Sequence, residues 1–190
     1  MILLLLGCVA ATVPPPEGPV GYPVDPSFTG DVAFEGAAVA YYPVTGVNDV
    51  EVWRSIRTSG PRVAGVSHGA YTTWDVRWTW PDGGTCSPVA VTTDIVVAFP
   101  RWDPPPEAPA ASVGNWQRYV GRLAFHEQGH VDRIRGVSAQ IPDVLGAAGC
   151  DGITTAGKDA LAMLDALNAT YDTETEHGAR EGATLFVRAP

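Results

Sequence analysis

Lysine is almost missing from this chain: there is one in 190 residues, against 21 acidic groups, for a formal charge of −9 and a pI near 4.7. That scarcity argues against a nucleic-acid partner, because a phosphate backbone is gripped by clustered Lys and Arg. It disfavours an anionic membrane surface for the same reason. Long apolar runs are missing too, and no internal stretch approaches the roughly 20 residues that span a bilayer. Cysteine is sparse, three in all, and none belongs to a Cys-x-x-Cys pair, which argues against a thiolate-ligated zinc. Histidine numbers only four, so where each one falls carries information.

The run Met1-Ile2-Leu3-Leu4-Leu5-Leu6-Gly7-Cys8 ends in Leu-Leu-Gly-Cys, which resembles the cleavage box of bacterial lipoprotein signals. Residues 1–8 are therefore expected to direct export, and Cys8 to carry a lipid that anchors the chain to a membrane. The run has no basic residue before it and is shorter than a usual signal core of about 7 to 15 residues, so a shortened secretory signal or an apolar tail are the plainer readings. Both signal readings expect an exported protein of the periplasm or outer envelope. Residues 9–30, rich in Pro, Gly, Val and Ala, read as an extended tether. One domain is expected over residues 31–190. Cys86 and Cys150 make an even pair, which an oxidising compartment would join as a disulfide.

Periodicity outlines the domain. Ala38 to Val44 reads as a strand that Pro43 pushes to a sheet edge or strand end. Asn48 can cap a helix reaching about Thr58, with Val50, Trp53 and Ile56 inward. In Tyr71 to Trp80, Thr72, Trp74, Val76, Trp78 and Trp80 alternate with more polar residues, the period of a half-buried strand. Pro81-Asp82-Gly83-Gly84 supplies a turn, and Cys86 to Phe99 pairs back. A Pro-rich connection leads into a helix over about Ser112 to Gln140. After a Gly146-to-Gly152 loop, Thr154 or Thr155 caps a final long helix carrying Leu161, Leu164, Leu167 and Tyr171. The expected class is α+β: a small antiparallel sheet packed against the motif-bearing helix and a second long C-terminal helix, in a zincin-like arrangement.

His126-Glu127-Gln128-Gly129-His130 carries the chemistry. Four residues on an α-helix turn through roughly 400°, so both imidazoles share one face and can bind one Zn²⁺ per chain. Glu127, at the edge of that face, can reach a water at the metal as general base without becoming a ligand. The helix's apolar residues Trp116, Tyr119, Val120, Leu123, Ile134 and Val137 share the stripe of His126 and His130, so the pair faces the protein body. Two ordinary buried histidines are the plainer reading, but burying two imidazoles beside a carboxylate is costly without a cation.

A catalytic zinc usually has three protein ligands, so one position remains. Arg133 and Gly136 break the spacing that would bring a third histidine soon after His130. His177 is the leading candidate, with Asp172, Glu174 and Glu176 as oxygen-donor rivals and Asp151 and Asp159 behind them. His68 reads as structural or exposed.

The ordered set Tyr41-Tyr42-x-Val44-x-Gly46, Gly60-Pro61, Thr73-Trp74-x-Val76-x-Trp78, Cys86, Pro100-Arg101-Trp102, Trp116, His126-Glu127-x-x-His130, Cys150 and Tyr171-Asp172-x-x-Thr175-x-His177-Gly178-x-x-x-Gly182-Ala183 resembles the bacterial predicted secreted zinc-dependent proteases, long catalogued as a domain of unknown function. The resemblance implies an exported, metal-dependent peptidase acting on a peptide or protein, with His126, His130 and His177 on zinc and Glu127 as the catalytic acid. Two other expectations stand beside it: a zinc amide hydrolase of cell-wall peptides, and a non-catalytic envelope lipoprotein whose zinc is structural. Oligomeric state is not specified by the sequence.

Overall fold

The computed structural model describes residues 32–80, 86 and 89–186. Cys8, the tether and the Pro81-to-Gly84 turn lie outside the described residues. Among those described, no helix is long and apolar enough to cross a membrane.

Strands β1 (Ala38–Val44), β4 (Tyr71–Thr79) and β5 (Ala90–Trp102) form a sheet in the order β1-β5-β4. The short strands β2 (Arg62–Val63) and β3 (Val66–Ser67) pair separately. β4 and β5 form the expected antiparallel hairpin, with Trp74 opposite Ile95. β1, however, lies parallel to β5, with Tyr41 opposite Phe99, so the sheet is mixed rather than antiparallel. Period-two patterning gives a strand its faces but not its direction. Direction here follows from the long crossover through α1 (Asp49–Ser59) and β2 to β4, which a parallel pairing requires. The central strand is buried from Val97 to Pro100, and it runs through Pro100 to Trp102 where a connection was expected.

α1 starts at the Asn48 cap, whose side chain accepts hydrogen bonds from the Val50 and Glu51 amides. Val52 and Ile56 face the core, while Val50 and Trp53 are exposed, a rotation of the expected inward face. Trp53 instead packs near Phe186.

Helix α2 (Ala110–Ser138) lies against the sheet through Trp116, Tyr119, Val120, Leu123, Val131 and Ile134. Trp116 meets Trp102 edge-on, at 5.7 Å between ring centroids. Helix α3 (Ile141–Thr175) follows almost at once. The expected loop before it is reduced to a kink at Gly149, whose φ of 62° falls in the left-handed region that glycine enters without a Cβ penalty. Next to the kink, Cys150 is disulfide-bonded to Cys86 across 64 positions of sequence. This pins Cys86, between β4 and β5, to the first third of α3.

Candidate metal centre

α2 sets His126 and His130 one turn apart on its buried face, with Glu127 beside them; all three are buried. The face of α3 that meets them carries Asn168, Tyr171, Asp172 and Thr175, which recur at three- and four-residue steps. Gly129, inside the motif, is required by this contact, because a Cβ there would collide with the Tyr171 hydroxyl and ring. Tyr171 stacks on His126 at 5.0 Å and meets His130 edge-on at 5.0 Å, while the Arg133 guanidinium lies 3.5 Å from its ring centre.

Both Nδ1 atoms are committed. His130 Nδ1 donates to Asn168 Oδ1 at 2.8 Å, and Asn168 is oriented by its own amide donating to Leu164 O at 2.9 Å. His126 Nδ1 donates to Glu181 Oε2 at 2.9 Å, and the other Glu181 oxygen accepts from the Tyr171 hydroxyl at 2.9 Å. Such partners fix which ring nitrogen keeps a lone pair. In both rings that nitrogen is Nε2, and both point at one atom: Asp172 Oδ1 stands 3.3 Å from His126 Nε2 and 3.2 Å from His130 Nε2.

Two imidazole lone pairs and a carboxylate oxygen repel unless positive charge lies among them. The titration behaviour has the same cause. Burial works to lower the His126 pKa, but the hydrogen bond to Asp172, the Glu127 charge and the bond to Glu181 outweigh it and leave it raised. Burial works to raise the Asp172 carboxyl, yet His126, His130 and the charge of His177 hold it well below the usual carboxylate range. A divalent cation meets the same demand with both rings neutral. The spacing fits: a tetrahedron with metal bonds of about 2.05 Å has edges of about 3.3 Å. Among the described residues, His126, His130 and Asp172 are the group whose ligand atoms all lie within 4.8 Å of one another.

His177, expected as the third ligand, lies outside that group, and its side chain is 63% exposed. Its Nδ1 approaches the same Asp172 oxygen at 3.2 Å. The reason is local: Asp172 is still on the helix and faces α2, whereas His177 follows the end of α3 in a left-handed turn. Glu127 lines the cavity with one oxygen accepting from the Thr72 hydroxyl at 2.7 Å. Burial raises its pKa, with the positive charge of His130 and the Thr72 hydrogen bond opposing.

The cavity is about 510 Å³ and gathers His68, Tyr71, Thr72, Trp74, Asp165 and Asn168 around the motif. Several of these escaped the sequence reading. Thr72 was placed on a buried strand face without a partner, and Asn168 and Glu181 belong to no motif, although Asn168 lies one helical turn before Asp172. Glu181 braces the His126 ring, and Glu181→Ala is expected to weaken the binding of an added divalent cation by about 10- to 100-fold. Competition with a chromophoric chelator measures this, and unchanged affinity would remove Glu181 from the metal's support.

Searches of curated proteins and of solved structures return no match to this chain. The family described as "Bacterial protein of unknown function (DUF922)" matches residues 39–178, a span that holds the sheet from Val39 onward, the motif and Asp172. The chain therefore belongs to that bacterial family.

Proposed function

We propose that this protein is a zinc-dependent peptidase of the cell envelope that hydrolyses amide bonds with Glu127 as general base. One observation carries the reading: two buried imidazole Nε2 atoms and a carboxylate oxygen converge, with a buried glutamate next to them, in the wall of a cavity. Zinc held by His126, His130 and Asp172 would supply Lewis acidity to a water and to the scissile carbonyl. Glu127 takes a proton from the attacking water and returns it to the leaving nitrogen, and burial, which raises its pKa, favours its holding that proton between the two transfers. The Thr72 hydroxyl holds the carboxylate in place.

The sheet supports a peptide as substrate. β4 is an edge strand of the described sheet, and its Tyr71, Thr72 and Trp74 line the cavity. An extended chain can add to such an edge through backbone hydrogen bonds and so bring an amide past Glu127.

Zinc content and hydrolysis of a casein-derived peptide panel test the reading. Asp172→Ala is expected to lose both the tightly bound zinc and the activity. His177→Asn, whose new residue tolerates the left-handed backbone, is expected to keep that zinc. The reverse pattern would make His177 the third ligand.

A further inference from the structure

We propose that Asp165 and Trp74 form a side-chain subsite of the cavity that selects a basic residue, Arg or Lys, close to the scissile amide of the substrate. The inference rests on the peptidase reading above and names the substrate class of that site. Its basis is the wedge between β4 and α3.

The two elements run antiparallel and are fixed at two levels. At the closed end Trp78 lies against Gly157, where an added Cβ would collide with the indole. At the other end Thr72 and Asp172 both reach the motif, one at Glu127 and the other at the two histidines. From Thr72 to Trp78 the strand rises about 20 Å, and from Asp172 back to Gly157 the helix covers about 22 Å. The rises match, so residues between these levels can be placed. Asp165, two turns before Asp172, stands about 10 Å along α3, a height that the strand reaches just past Trp74. The same distance is the span of about three extended substrate residues. Both side chains line the cavity. Tyr71 gives an independent check, because burial first and then the charges of Asp172 and Asp165 raise its pKa, which puts its phenol within the field of both carboxylates.

No Lys or Arg lines this cavity, whose ionisable wall consists of all four histidines of the chain with Tyr71, Glu127, Asp165 and Asp172. Two of the three carboxylates are engaged, Asp172 by the histidines and Glu127 by Thr72. Asp165 has no hydrogen-bond or ion-pair partner among the described residues, and desolvation alone raises its pKa. A carboxylate partly withdrawn from water with no cation beside it is complemented by one that the substrate brings. Trp74, across the wedge, supplies an indole for the same cation and an apolar wall for its methylene stem. An acidic side chain would meet Asp165 and Asp172 as like charges, and an apolar one would leave Asp165 uncompensated. The formal charge of −9 also favours the approach of a basic peptide.

A peptide series on the zinc-loaded full chain tests this. The casein-derived peptide that wild type cleaves fastest is remade with Arg, Lys, citrulline or Glu at each of the three positions on either side of the scissile amide. Citrulline has the shape of Arg without its charge. At one of these positions Arg and Lys are expected to exceed citrulline by about tenfold in kcat/KM, with Glu below it. Asp165→Asn is expected to abolish that preference and leave the citrulline rate unchanged, and Asp165→Lys to reverse it in favour of Glu. Asp165 is exposed, so both variants are expected to fold. Equal rates for Arg and citrulline at every position overturn this inference and leave the peptidase reading standing, as does a preference that persists in Asp165→Asn. A wild type that cleaves none of the peptides overturns both.

Discussion

Glu127→Gln is expected to lower peptide hydrolysis by about 10²- to 10⁴-fold while leaving zinc content unchanged, because Gln has the shape of Glu but cannot take a proton from water. Glu127 is not in the three-residue group that could hold a metal, so its replacement leaves that group intact. The same substitution is expected to stabilise the metal-free protein. Glu127 is buried and accepts one hydrogen bond, from Thr72, and burial raises its pKa. A carboxyl raised on folding binds protons more tightly in the folded state. Its contribution is fully present below the unfolded pKa and is lost as pH rises through the folded value. Metal-free Glu127→Gln should therefore be more stable than wild type at neutral and alkaline pH, by about 1–2 kcal/mol, and converge with it in acid. Thermal melts of both proteins across pH 4 to 8 give the comparison. A variant that keeps wild-type activity ends the general-base assignment, and a gap that does not change with pH ends the account of the buried charge.

Loss of the Cys86–Cys150 bridge is the largest stability change expected. The bridge closes a loop spanning 64 positions of sequence, and restricting a loop of that length in the unfolded chain contributes about 4 kcal/mol in the chain-entropy description. The Cys86→Ser, Cys150→Ser double variant should melt about 8–16 °C lower. Wild type under reducing conditions should follow it. Equal midpoints with and without reductant would show that packing around the Gly149 kink holds α3 without the bond.

What the sequence made legible follows from what periodicity reports. The stripe containing Trp116, Leu123, His126, His130 and Ile134 named the buried face of α2, because a 3.6-residue period is a statement about faces. The β4–β5 hairpin and the Asn48 cap were readable because each is specified within a few residues. Other features depend on distant residues. The direction of β1 comes from a crossover, and nothing in Ala38 to Val44 records it. The glycines around Gly149 suggested a loop, but the helix resumes past a single left-handed residue. Val50 and Trp53 were taken as inward from their spacing with Ile56, whereas the core selects Val52. His68 and Asn168 have no local signature, since their meaning lies in which residues oppose them across the cavity.

The confinement of every imidazole to one cavity has a practical side. The chain has no other histidine to contribute background, so each imidazole proton or nitrogen resonance originates at the His126–His130 pair or elsewhere on the wall of the same cavity. Ring nitrogens that lose their exchangeable proton, shift or broaden when zinc or paramagnetic cobalt is added would identify the ligating atoms one by one, with the protein free in solution.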